Sequence, residues 1–137
     1  MSEQNTTAVR RFYEAINAGN LGIIDELVAT DFVEHEEFQG LEPNREGTRQ
    51  MFAMMRAAFP DLRLEMDAIL ADGNMVVVRG RMTGTHRGEF AGMAPTGKQI
   101  NTPFADFVRF QDGKAVEHWG VTDSGAMMQQ LGAGPPQ

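Results

Sequence analysis

Three residues of this chain have the chemistry of proton transfer and fall where a fold could gather them: Asp106, His118 and His35. Asp106 stands in NTPFADFVRF, from Asn101 to Phe110, and His118 in VEHWGVTD, from Val116 to Asp123. Side chains alternate across a strand, so Phe104, Asp106, Val108 and Phe110 share one face of the first run. His118, Gly120 and Thr122 share one face of the second, and Trp119, Val121 and Asp123 the other. The polar Asp112-Gly113 turn between them makes the pair a hairpin. A carboxylate set among Phe and Val is expected to line a cavity. An apolar surround raises its pKa and a nearby imidazolium lowers it again, and either way the pair suits general acid–base work. Asp106 is therefore the expected acid/base, with His118 and His35 as polar partners. The competing reading holds Asp106 by a backbone donor or by Arg79 or Arg81, as buried carboxylates usually are held.

The elements that must position these groups follow from periodicity. Val9, Phe12, Tyr13 and Ile16 recur at helical spacing, which predicts a helix over 3–18 that ends at Gly19-Asn20. A shorter helix turns Ile23, Ile24, Leu27 and Val28 inward and closes at Thr30-Asp31. The segment DFVEHEEFQG reads as chain passing the pocket mouth, with His35 among Glu34, Glu36 and Glu37. Its alternative is a solvated loop histidine. A third helix over 46–58 offers Met51, Phe52, Met54, Met55 and Phe59, and Pro60 breaks it. From Leu62 the period changes to two, giving a strand to Ala68, a turn at Asp72-Gly73-Asn74 and a strand from Met75 to His86. Residues 87–97, with Phe90 and Met93, read as an excursion over a cavity mouth. After the hairpin comes a short helix around 124–131, which Asp123 is placed to cap.

Three helices followed by antiparallel strands is an α+β pattern. A curved, mainly antiparallel sheet wrapped on the helices makes a cone with a pocket between helices and concave face. The pocket residues expected from these faces are Tyr13, Phe32, Met51, Met55, Phe59, Met93, Phe104, Val108 and Gly120. Residues 1–132 read as one domain and 133–137 as a frayed tail.

Composition narrows the partners. The 137 residues are 42% hydrophobic and 23% charged, with a formal net charge of −7. That balance argues for a globular domain and against nucleic acid or an anionic membrane as partner. No apolar run approaches the length of a membrane span, and the cytoplasm is the expected location. There is no Cys and there are three His, none at the spacing of a helical zinc pair, so no metal is expected. No phosphate-cradling glycine loop follows a strand into a helix, and no cofactor is expected. Trp119 and Phe107 lie on the convex face of the hairpin, where a homodimer would cover them. His86 is expected to hold a turn.

The segments Arg11-Phe12-Tyr13, DFVEH at 31–35, FPDL at 59–62, GTHRGEF at 84–90, APTGK at 94–98, DGKAVEHW at 112–119 and QQLG at 129–132 occur in an order that resembles the SnoaL-like polyketide cyclase (ester cyclase) family. That family lies within the nuclear transport factor 2-like superfamily, and the resemblance spans nearly the whole chain. It implies the cone fold and a cofactor-free enzyme, closing rings by an intramolecular aldol reaction through a buried Asp assisted by a His. The Asp of the family follows the Trp of a His-Trp-Asp string, a position held here by Gly120. The assisting His falls on Asp106. The resemblance therefore leaves two functions open. One is acid/base catalysis of cyclisation, isomerisation or hydration (a lyase or isomerase type) on a small, partly apolar molecule. The other is a small-molecule binder without turnover.

Overall fold

A computed structural model describes residues 2–38 and 40–132, and the expected tail at 133–137 lies outside them. The elements run α1 (Ser2–Asn17), α2 (Ile23–Leu27), β1 (Val28–Glu34), α3 (Arg45–Ala58), β2 (Arg63–Asp72), β3 (Met75–Thr85), β4 (Gln99–Gln111), β5 (Lys114–Thr122) and α4 (Ser124–Gln130). The five strands form one open, mixed sheet in the order β1-β5-β4-β3-β2. β1 runs parallel to β5, and the other three pairings are antiparallel.

The concave face carries the apolar half of each alternating strand. Val76 and Val78 of β3, Phe104 and Phe110 of β4 and Ala115 of β5 meet Val9, Tyr13 and Ile16 of α1 and Ile23, Ile24 and Leu27 of α2. Ile16 and Ile24 are fully buried. Each fully buried aliphatic side chain favours folding by about 1.5–3 kcal/mol, so this seam pins α1, and Tyr13 with it, to the sheet. Asn17 adds a polar tie: its side chain accepts from Leu64 N–H at 2.7 Å and donates to Leu64 C=O at 3.1 Å. Gly19, at φ +79°, then turns the chain out of α1.

A second cluster joins Ala58, Phe59, Leu62, Ile100, Met127 and Leu131. The excursion at 87–97 folds onto this cluster, with Phe90 and Met93 packed against it. Arg87 and Gly88 N–H both donate to Ala58 C=O. His86 holds the return of the loop: its Nδ1 accepts from Thr96 N–H at 3.2 Å. Asp123 caps α4 by accepting from Ala126 N–H at 2.9 Å.

One element departs from the expectation. Residues 28–34 are strand, not helix end and loop, and Val28 is the point where α2 passes into β1. Val28 lies beside Ala115 and Glu34 beside His118 in the parallel pairing with β5. The alternation of Phe32 and Glu34 against Val33 and His35 is the local cause. Phe32 is buried and Val33 is exposed, so β1 has an inner and an outer face.

On the convex face a row of side chains crosses the sheet. Leu70 pairs with Val77, Val77 with Phe107 and Phe107 with Trp119. His35 stacks on the Trp119 ring at 4.7 Å between centroids and 6° between planes. Leu70 and Val121 are 70% and 67% exposed.

Candidate active site

The site is built on the β4–β5 ladder. Asp106 pairs with Gly120, Val108 with His118 and Phe104 with Thr122. The five side chains among them point to the concave side, toward α1, and Gly120 has none. Diagonal neighbours on one sheet face lie within reach of a ring. His118 thus leans past Gly120, which has no side chain, and donates from Nε2 to Asp106 Oδ1 at 2.8 Å.

Two further elements complete the network. α1 brings Tyr13, whose hydroxyl donates to Asp106 Oδ2. β1 brings Glu34, whose Oε1 accepts from His118 Nδ1 at 2.5 Å and from the Glu36 amide at 3.0 Å. Just past β1, Glu36 turns back over β5, and its Oε2 accepts from the Thr122 hydroxyl at 3.1 Å. Its carboxylate occupies the space above Gly120. A Cβ added there would lie 2.7 Å from His118 Cε1, 2.9 Å from Glu36 Cδ, and against Glu36 Oε1.

The electrostatics follow from this packing. Burial opposes a charge on His118, but the hydrogen bonds to Asp106 and Glu34, and their charges, outweigh it and raise its pKa to about 10. His118 is therefore an imidazolium at neutral pH, clamped between two carboxylates. Burial, then the negative charge of Asp106 and the hydrogen bond to it, hold the Tyr13 hydroxyl well above its ordinary value. Burial raises the Glu36 carboxyl, partly offset by the charge of His118 and supported by that of Asp106. The Asp106 and His118 side chains are 20% and 17% exposed, so the pair is reachable from outside, whereas Glu34 is 4% exposed and structural in character.

The structure thus brings together Asp106, His118, Tyr13, Phe104, Val108 and Gly120. Phe32, on the inner face of β1, lies in the same apolar cluster. Phe59, Met55 and Met93 belong to the second cluster, away from the hairpin, and Met51 is half-buried on α3. His35 does not join the site, which corrects the expectation that it partners Asp106. It alternates with Glu34 and so points outward, where its Nε2 meets Glu117 Oε2 at 2.8 Å. Glu117 in turn accepts from Arg109 Nε at 2.6 Å. The arginine reading of Asp106 fails as well: its two oxygens meet Tyr13 and His118, and Arg81 is paired with Asp67. Two surface clefts are lined elsewhere. One lies between α1 and Gly113, the other between Asp61, the adjoining ends of β3 and β4, and Gln130, and neither includes Asp106 or His118.

The sequence reading missed Glu34, Glu36 and Thr122 as members of the site. The signal for Glu34 was present in the Phe32/Glu34 alternation. For Glu36 the only hint was the glycine at 120. Glu34, Glu36 and His118 place three potential ligand atoms within 4.8 Å of one another. A metal there would have to take His118 Nδ1 from its hydrogen bond to Glu34, so the arrangement as it stands is an ion-pair network.

Comparison with known proteins is consistent with this architecture. A family model described as SnoaL-like polyketide cyclase matches residues 6–131. The aklanonic acid methyl ester cyclase AcmA of Streptomyces galilaeus is 30% identical over 139 residues, covering 100% of this chain and 96% of that protein. Among solved structures, wild-type IdmH of Streptomyces antibioticus, a candidate polyketide cyclase, superposes with a TM-score of 0.83 at 33% identity over 94% of this chain and 99% of its own. AclR of Streptomyces galilaeus, a candidate hydroxylase, superposes with a TM-score of 0.87 at 29% identity over 99% of this chain and 89% of its own.

Proposed function

Because the chain belongs to the SnoaL-like polyketide cyclase family, we propose that it is a cofactor-free acid–base enzyme that closes a ring in a small, partly apolar carbonyl compound by intramolecular aldol addition. The observation that carries this reading is the Tyr13–Asp106–His118 constellation: a partly exposed carboxylate held by two donors beside the apolar cluster of the concave face. Asp106 takes a proton from the carbon between two carbonyl groups. The C–H electron pair becomes an enolate, whose carbon attacks a second carbonyl carbon of the same molecule. A C–C bond forms, the carbonyl π pair moves to oxygen, and that oxygen is protonated. The elemental composition is unchanged, so the product is an isomer of the substrate. His118, already protonated, is no base at neutral pH. It fixes Asp106 and supplies positive charge beside the developing enolate. Phe104 and Val108 offer the apolar part of the substrate a surface.

The name of the AcmA relative supplies a first candidate. Purified protein is offered aklanonic acid methyl ester, with isomer formation followed by chromatography and binding by calorimetry. A closed isomer, lost in Asp106→Asn, is the expected result. Binding without any isomer favours the non-catalytic alternative, and neither binding nor turnover of this or related β-keto esters overturns the reading.

A second copy of the chain is the proposed cover of the convex face. The support is the row Leu70–Val77–Phe107–Trp119 with exposed Val121 beside it, since an antiparallel sheet face with an apolar stripe is stabilised by burial.

A further inference from the structure

Gly120 and Glu36 are one feature of the fold. The family resemblance puts a carboxylate at the residue after the Trp, and this chain has glycine there. The space is not empty. The Glu36 carboxylate lies where a side chain at position 120 would lie, and even a methyl group there would collide with it. Thr122, on the same face of β5, fixes Glu36 Oε2 by donating at 3.1 Å. Among the described residues no hydrogen bond is made to Oε1, which leaves that oxygen available. Asp106, by contrast, has both oxygens occupied, by Tyr13 and by His118.

We propose that Glu36 is the general acid of this site, delivered from the chain beyond β1 into the place that Gly120 leaves open. The inference rests on the acid–base reading given above and supplies the partner that reading needs. Aldol closure has two proton events, one at carbon and one at oxygen. Asp106, which accepts from Tyr13 and His118, is placed to remove the carbon proton. Glu36, raised by burial, suits delivery of a proton to the new alkoxide. One proton is removed and one is delivered, and Asp106 and Glu36 then exchange a proton through solvent to return to their starting forms.

The test uses the full chain and a synthetic β-keto methyl ester bearing a remote ketone placed to close a six-membered ring. Ring closure is followed by NMR for wild type, Glu36→Gln and Asp106→Asn. The carboxyl carbon of Glu36 is titrated by NMR in the wild type. Glu36→Gln keeps the bond to Thr122 and is expected to slow closure by about 100-fold or more, the usual scale of a lost general acid. If Glu36→Gln closes the probe like wild type while Asp106→Asn does not, the inference is overturned and the acid–base reading stands. Wild type that fails to close the probe counts against the reading itself, and the titration then decides the inference. A Glu36 carboxyl that titrates at or below the ordinary value of 4.5 overturns it, and one that titrates above supports it.

Discussion

His118 Nε2 lies 2.8 Å from Asp106 Oδ1, diagonally across the β4–β5 ladder. The residue directly opposite Asp106 is Gly120. A side chain at 120 would meet His118 Cε1 at 2.7 Å, so the diagonal pair exists in this form because position 120 has none. The same vacancy admits Glu36. Two carboxylates and one imidazolium thus share a small area of the concave face, tied down by Tyr13 from α1 and Glu34 from β1.

Tyr13→Phe removes a donor from Asp106 without opening a cavity. One hydrogen bond to a charged group contributes about 1.5–3 kcal/mol, and His118 still holds the other oxygen. The expected loss of unfolding free energy is about 2 kcal/mol or less, measured in urea, with turnover reduced by about tenfold or more. Unchanged turnover would remove Tyr13 from the site.

Glu34→Ala leaves His118 with one buried counter-charge fewer. Breaking one partner of a buried pair costs about 3–5 kcal/mol, and part of that is recovered here because Asp106 remains. A loss of about 3 kcal/mol is expected in denaturant unfolding, and a smaller one for Glu34→Gln, which still accepts from Nδ1. Equal losses in the two variants would argue that packing, not charge, sets the cost.

The pH dependence of stability has a definite sign. The folded-state pKa of His118, about 10, exceeds its ordinary value of 6.5, so protonation favours the folded protein. This contribution is whole below 6.5 and is lost as the pH rises to about 10. The groups facing the ring are Asp106 from β4, Glu34 from β1, and Glu36 and Tyr13 nearby. The difference in Tm between wild type and His118→Gln should therefore shrink as the pH is raised through that window. A difference that stays level or grows would show that His118 is held neutral. Glu36, also raised, favours the fold when protonated, and its effect lies on the acid side.

Phe107→Glu places a charge in the middle of the convex row. Phe107 is 37% exposed, so the monomer should tolerate it, while a dimer through this face should not. Light scattering is expected to give a dimer for wild type and a monomer for the variant. A monomeric wild type would refute the interface.

The hairpin was legible because β4 alternates along its length, β5 alternates from Glu117 on, past a register shift near Val116, and the Asp112-Gly113 turn lies between them. Alternation alone puts Asp106, His118 and Gly120 on the inner face of the hairpin. α1 was legible from Val9, Tyr13 and Ile16. What failed was β1. Ile23, Ile24, Leu27 and Val28 form a short apolar run that suits helix or strand equally, and tertiary pairing with β5 decides where one becomes the other. Losing β1 misplaced the inward position: His35 was given the place that Glu34 holds, and Glu34 was given no role. Glu36 was beyond reach for a different reason. Its place depends on a chain segment folding back over β5, and no local pattern encodes that. The second cluster, with Phe59, Met55 and Met93, shows the same limit, since residue type alone does not say which of two apolar groups a side chain joins.

The most direct measurement is the single-turnover rate of ring closure for wild type and Asp106→Asn, on whichever β-keto ester the wild type closes. Asn keeps the size of Asp106 and its bond to Tyr13, so the fold should survive while the base is lost. A fall of about 100-fold or more, with unfolding free energy changed far less than the rate, is the predicted result. A variant that closes the ring at the wild-type rate would contradict the assignment of Asp106 as the base.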